Sequence, residues 1–198
     1  MNKIFFVTNN VFKEQEIRIF FQSNQYQKFN LLSLKDIDFR DSIPESGNSF
    51  KENALLKSEF FFQKTHLPCF SEDSGLKVEY LNGKPGIYSS RYSKTKNSMD
   101  NMKKLLSNMI KDTSRKAELF SVFCLKINEK DTYFFKGKLS GKISRKIIVN
   151  QGFGYDPIFI PNHYKHTLSE INIDKKNKIS HRIKAFKKLI QFLNNRNF

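Results

Sequence analysis

Short apolar runs alternate along the chain with longer stretches in which apolar and charged residues are mixed. Ile4, Phe5, Phe6 and Val7 are consecutive, so Lys3 to Thr8 predicts a buried strand. Past Asn9-Asn10 the period changes: Val11, Ile17, Phe20 and Phe21, with charges between them, predict a helix of about three turns. Leu31, Leu32 and Leu34 predict a second short strand. Pro44 and Gly47 mark Ser42 to Asn48 as a loop. Ser49-Phe50-Lys51-Glu52 has the spacing of a capping box and opens a helix through Ala54, Leu55, Leu56 and Phe60 to about Lys64. Pro68 ends that region. Cys69-Phe70 then begins a strand leading into Ser71-Glu72-Asp73-Ser74-Gly75.

Val78 and Tyr80 alternate with charge before turns at Asn82-Gly83 and Lys84-Pro85-Gly86. Met99, Met102, Leu105, Leu106, Met109 and Ile110 share one helical face, which suits core packing rather than a cofactor. Lys116 to Asn128 and Thr132 to Lys138 predict a hairpin about Asn128-Glu129-Lys130-Asp131, with a further strand in Lys142 to Val149. A last helix is expected from about Ser180, burying Ile183, Phe186, Ile190 and Leu193. Interspersed strands and helices with a late hairpin predict an α/β fold on a mixed sheet. No repeat, linker or low-complexity segment interrupts residues 1–198, which read as one domain.

Composition narrows the class. With 21 Phe and 7 Tyr, the chain has aromatic mass that a disordered protein lacks. No apolar run approaches the ~20 residues of a membrane span, the N-terminus does not read as a secretory signal, and two cysteines cannot build a disulfide scaffold. A reduced, cytoplasmic protein is expected. Lys and Arg number 35 against 19 Asp and Glu, a net charge of +16, but 28 of the 35 are lysine and they spread along the whole chain. Lys136, Lys138, Lys142, Arg145 and Lys146 form the densest acid-free stretch. They alternate with apolar residues, as on the solvated face of strands rather than on a nucleic-acid-binding arm.

Four places carry more chemistry than packing requires. Thr8-Asn9-Asn10-Val11-Phe12-Lys13 joins a strand end to a helix N-terminus, whose free amides attract phosphate. Lys13 suits a phosphate ligand there, or is a solvated lysine; the G-x-x-x-x-G-K-[ST] pattern is absent. Glu72-Asp73 places two carboxylates side by side. On a strand they would point to opposite faces, so a turn at Ser74-Gly75 is expected to bring both to one site. Magnesium takes such oxygen ligands, with Glu45 as another; a surface acidic turn is the alternative. In Gly152-Phe153-Gly154-Tyr155-Asp156-Pro157 the glycines permit close backbone approach, Phe153 offers a stacking plane and Asp156 can accept from base N–H groups. A structural turn around a buried aromatic fits equally. Lys176-Asn177-Lys178-Ile179-Ser180-His181-Arg182 places His181 and Arg182 at a helix start if Ser180 is the cap, or is a plain basic face. His163-x-x-His166 lacks further ligands and is expected at the surface.

Taken in order, Thr8-Asn9-Asn10-x-x-Lys13, Ser49-Phe50-x-Glu52-Asn53-Ala54, Ser71-Glu72-Asp73-Ser74-Gly75-Leu76, Pro85-Gly86-Ile87-Tyr88-Ser89-Ser90-Arg91-Tyr92, Gly152-Phe153-Gly154-Tyr155-Asp156-Pro157-Ile158-Phe159 and Ile179-Ser180-His181-Arg182 resemble the inosine/xanthosine triphosphate pyrophosphatase family, from Lys3 to about Leu193. The resemblance implies an elongated mixed β-sheet with flanking helices, two lobes around a nucleotide-binding cleft, and a homodimer. It implies Mg²⁺-dependent hydrolysis of ITP, dITP and XTP to the monophosphate and pyrophosphate. Carried over by position, Thr8, Asn9, Asn10, Val11, Phe12 and Lys13 would hold the phosphates. Glu45, Glu72 and Asp73 would serve the metal, with Asp73 also the general base and Ser74 a substrate contact. Phe153, Gly154, Tyr155, Asp156, Lys176, His181 and Arg182 would bind the nucleotide, largely its base. Many members carry Gly at the position of Asn9 and Asp at that of Glu72. A pyrophosphatase for pyrimidine or modified nucleotides is the nearer rival reading and a basic nucleic-acid-binding module the more distant one; no stable nucleic-acid or membrane partner is expected. The Glu-rich Nudix helix is absent.

Overall fold

The computed structural model describes residues 2–24 and 28–196. Among them, six strands form one sheet in the order β2-β1-β3-β4-β5-β6. They are β1 (Asn2–Val7), β2 (Phe29–Ser33), β3 (Cys69–Val78), β4 (Lys116–Lys126), β5 (Thr132–Ile143) and β6 (Phe159–Pro161). β1 runs parallel to both β2 and β3, while β5 and β6 are antiparallel, so the sheet is mixed as the sequence pattern predicts. The helices are α1 (Val11–Ser23), α2 (Phe50–Thr65), α3 (Ser98–Asn108), α4 (Ile173–Ile179) and α5 (His181–Asn194). None is long and apolar enough to cross a membrane among the described residues.

The chain divides into two compact units, to both of which β3, β4 and β5 contribute residues. The first comprises residues 1–73, 121–137 and 182–198 and contains two apolar clusters. In one, Phe6, Phe70, Phe123 and Phe186 stack and tilt against each other with Ile17, Phe20, Ile183, Ile190 and Leu193. In the other, Phe61 and Phe62 of α2 pack on Phe5, Val7 and Cys69. The second unit, residues 74–120 and 138–181, is built around Leu76, Val78, Met102, Leu105, Met109, Ile158 and Phe159. The four predicted positions of α5 are therefore core, as are Met102 of α3 and Met109 just past its end, while Met99 packs half-buried against the same core as these two methionines. Ile110 is 80% exposed because α3 ends at Asn108, before it.

Three expectations are corrected, and two short elements were not expected. Leu34 is not in the second strand: Asp36 accepts from both the backbone amide (2.6 Å) and hydroxyl (3.0 Å) of Ser33, and this box starts a 3-10 turn at Leu34. The strand expected over Lys142 to Val149 does not form: Lys142 and Ile143 end β5, which runs unbroken from Thr132, and residues 144–149 lie outside any strand. Gly141 makes no turn there. It lets β6 approach, since a Cβ at this position would stand 2.3 Å from the Ile160 carbonyl oxygen. Exposed Lys136, Lys138 and Lys142 alternate with buried positions of β5, the solvated strand face their spacing predicts. β6 and α4, three and seven residues long, are too short for periodicity to mark them. Finally, no turn interrupts Ser74-Gly75: β3 is continuous from Cys69 to Val78.

Candidate active site

Because β3 does not turn, its successive side chains leave on opposite faces, and the adjacent carboxylates enter different surroundings. Phe70 and Glu72 face the side of α1 and α5. Cys69, Ser71 and Asp73 face α2, where the Ser71 hydroxyl donates to the Ala54 carbonyl.

Glu72 is buried among cations. The Lys13 ammonium stands 2.6 Å from its Oε2, and Oε1 accepts from the Ser121 hydroxyl at 2.8 Å and the Arg182 Nε at 3.2 Å. Arg182 also pairs with buried Glu16 of α1. Burial alone would push the Glu72 carboxyl up, but Lys13 and Arg182 together with the hydrogen bonds hold it well below the usual carboxylate range. Glu72 is therefore a permanent anion that fixes Lys13. Asn10 completes this corner: its side chain caps α1 by accepting from the Lys13 amide, and its own amide donates to the Thr8 hydroxyl. Asn9, Asn10, Val11 and Phe12 are exposed at the head of α1 and Thr8 is half-buried. An anion would meet helix amides there.

Asp73 is also buried, but its partners come from α2. Asn53 Nδ2 donates to Oδ2 at 3.1 Å, and Lys57 Nζ lies 3.3 Å from Oδ1. Lys57 further pairs with Glu45 at 2.5 Å and donates to the Glu72 carbonyl at 3.3 Å. Burial dominates at Asp73 and raises its carboxyl above the ordinary value, with Lys57 and Lys13 working the other way. At Lys57 burial is again the largest influence and favours the neutral amine, yet Asp73 and Glu45 outweigh it and keep the ammonium charged. Asn53 and Lys57 were not among the residues singled out for chemistry. The available signal was a polar pair at i, i+4 inside an otherwise apolar helix face, where both are buried beside Ala54, Phe61 and Phe62. Asn53 Oδ1 also accepts from the Gly47 amide at 2.8 Å, tying down the loop that carries Glu45. The Ser49-Glu52 box forms with a shift: Glu52 accepts from the Asn48 amide rather than that of Ser49.

The carboxylates expected at the metal are thus divided, Glu45 and Asp73 around one lysine and Glu72 with Lys13 and Arg182. Among the described residues, no three His, Cys, Asp or Glu side chains are grouped to hold a metal ion. Glu45 and Asp73 nonetheless offer the donor set that magnesium uses, one or two carboxylates completed by water and substrate phosphate. The Lys57 ammonium already sits between them as a cation.

In the second unit, Gly152 (φ 90°) and Gly154 (φ 63°) bend the predicted loop in the left-handed region. At Gly152 a Cβ would stand 2.4 Å from Asp156 Oδ2. That oxygen accepts from the Phe153 amide at 2.9 Å and from the Lys176 ammonium at 2.7 Å. Lys176 lies 5.2 Å over the Phe153 ring, which is half-buried. Tyr155 points inward: its ring belongs to the core and its hydroxyl donates to the Ser89 carbonyl at 2.9 Å. Ser74 is half-buried in β3. His181, the last residue of this unit, and Arg182, which belongs to the first unit with its partners Glu16 and Glu72, open α5 and are buried. His163 and His166 are exposed, as expected.

Over 98% of its length the chain is 43% identical to the dITP/XTP pyrophosphatase of Flavobacterium psychrophilum, the whole of which is covered. It is 37% identical to that of Porphyromonas gingivalis, over 98% of both chains. Two solved structures superpose along 99% of this chain and all of their own. The Staphylococcus aureus Ham1 protein does so with a TM-score of 0.87 at 32% identity, and a HAM1 protein from Coxiella burnetii with 0.89 at 30%. With the family model matching residues 4–192, the chain belongs to the Ham1 family.

Proposed function

We propose that this protein hydrolyses deaminated purine nucleoside triphosphates, namely ITP, dITP and XTP, to the monophosphate and pyrophosphate with Mg²⁺. The observation that carries the reading is Asp73, a buried carboxylate of raised pKa held from two sides by Asn53 and Lys57. Such a group, more basic than an ordinary carboxylate and held in place, suits a base that takes a proton from the water attacking the α-phosphorus. The names of the relatives at 37% and 43% identity support the same substrate class.

The amides at the head of α1, with Thr8 and Lys13, receive the polyphosphate, and Glu72 keeps Lys13 in position. Glu45 and Asp73 would hold magnesium, which neutralises charge on the phosphates and the departing pyrophosphate when bound. Phe153 stacks on the base, while Lys176 and backbone amides of the Gly152–Asp156 loop donate to its 6-oxo edge. Adenine presents a donor at that edge and leaves such donors unpaired, which disfavours ATP. A homodimer in the cytoplasm belongs to the same reading.

The test is hydrolysis of ITP beside ATP and GTP with Mg²⁺, scored for inosine monophosphate and pyrophosphate. Preferential ITP turnover is expected. Equal rates on all three overturn the deaminated-purine assignment, and release of orthophosphate overturns attack at the α-phosphorus.

A further inference from the structure

The block Pro85 to Tyr92 has no part in the chemistry above, yet its residues are bound tightly into the second unit. Gly86–Arg91 forms a 3-10 turn. Within it, the buried Ser89 hydroxyl accepts from the Leu76 amide of β3 at 2.9 Å and donates to the Gly86 carbonyl at 2.6 Å. The Ser89 carbonyl accepts from the Tyr155 hydroxyl at 2.9 Å. One residue beyond, the Ser90 carbonyl accepts from Asn101 of α3 at 3.2 Å. Ser89 thus joins three segments: β3 three residues after Asp73, its own turn, and the glycine-bent loop.

Tyr155 is only 7% exposed, and burial pushes its phenol well above the usual range, so at neutral pH the hydroxyl is a donor. Its neighbours in the loop are the groups assigned to the base. Gly154, with φ 63°, makes the left-handed bend between Tyr155 and Phe153. On the other side Asp156 fastens the Phe153 amide and Lys176. The loop is therefore closed on itself through Asp156, tied to Lys176 by a charge pair, and joined to the turn by the Tyr155 hydroxyl.

We infer that Ser89 and Tyr155 are positioning residues for base selection. The Tyr155 hydroxyl on the Ser89 carbonyl sets the Phe153 plane and the donors beside it, and Tyr155 acts from beneath the loop rather than by touching nucleotide. This rests on the assignment of the Gly152–Asp156 loop to the base.

Tyr155→Phe keeps the ring and removes only the hydroxyl. The expected result is a KM for ITP raised about 5- to 10-fold at nearly unchanged kcat, as for a lost neutral hydrogen bond, with a lower ITP-to-ATP ratio in kcat/KM. Ser89→Ala loosens the turn and should give a smaller change of the same kind; Ser89→Thr, which keeps a hydroxyl, should restore most of it. If both residues act through one path, the double variant Ser89→Ala/Tyr155→Phe is no worse than Tyr155→Phe alone. A merely structural role would instead lower the melting temperature and the active fraction at constant KM and constant ITP-to-ATP ratio, and that result overturns the inference. So does full additivity of the two substitutions. Absence of ITP turnover in the unaltered protein overturns the proposed reaction and this inference with it. Normal turnover with unchanged selectivity in the variants overturns the inference alone.

Discussion

Glu72 and Asp73 are adjacent in the chain and stand on opposite faces of the same unbroken strand. Glu72 meets Lys13, Ser121 and Arg182, while Asp73 meets Asn53 and Lys57. The same burial acts on both, and the balance of charge separates them: one carboxyl is held far down, the other is raised. Two neighbouring acids with separated proton affinities suit separate jobs: Glu72 holds a cation, and Asp73 is the proposed proton acceptor.

Asp73→Asn keeps the shape and the contact with Asn53 but removes the base. Turnover should fall ~10²–10⁴-fold, the usual contribution of a positioned general base. Nucleotide affinity should change little. Pyrophosphate release and equilibrium binding of ITP, measured on the same preparation, separate the two effects.

Lys57 lowers the Asp73 pKa against the stronger influence of burial. Asp73 must be ionised to act, so activity falls as pH drops through its raised pKa. In Lys57→Met the opposing charge is gone and the pKa rises further. The acid limb of the kcat/KM profile should therefore move to higher pH; an unmoved limb would separate Lys57 from the base.

Glu72 has a folded-state pKa below its ordinary value of 4.5. Its contribution to stability is therefore complete above about pH 4.5 and is lost as pH falls below that. Glu72→Gln leaves Lys13 and Arg182 without this anion, and breaking such a buried pair costs ~3–5 kcal/mol. Denaturant unfolding at pH 7 should show that deficit, and the gap to the unaltered protein should narrow toward pH 3.

Chelation should abolish turnover and added Mg²⁺ restore it. Glu45→Gln should raise the magnesium concentration needed for half-maximal rate several-fold, since one of its two hard oxygen donors is then neutral. Titration of Mg²⁺ at saturating ITP measures this. Glu45 itself is exposed, but its carboxylate pairs with buried Lys57, so a modest loss of thermal stability should accompany the change.

Local patterns were enough to place β1, α1, α2, α3 and α5, because each carries either a run of apolar residues or a full 3.6-residue face. The Ser49 cap was readable too, since a cap needs only a side chain and an amide two or three positions on. Ordered motifs further pointed to the family and to Asp73, Lys13 and Asp156. Three-dimensional contact decided the rest. Asn53 and Lys57 read as ordinary helix residues until α2 packs beside β3 and buries them against Asp73, 20 and 16 positions away. Arg182 reaches Glu72 across 110 residues, and no spacing rule spans that distance. Tyr155 carries the same polar tip whether it faces nucleotide or core, and only its packing beside Ser89 distinguishes the two. The sequence alone determined which chemical groups are present and which segments carry them. The tertiary structure alone decided which groups are desolvated together, and desolvation is what sets a carboxylate's proton affinity and a hydroxyl's partner.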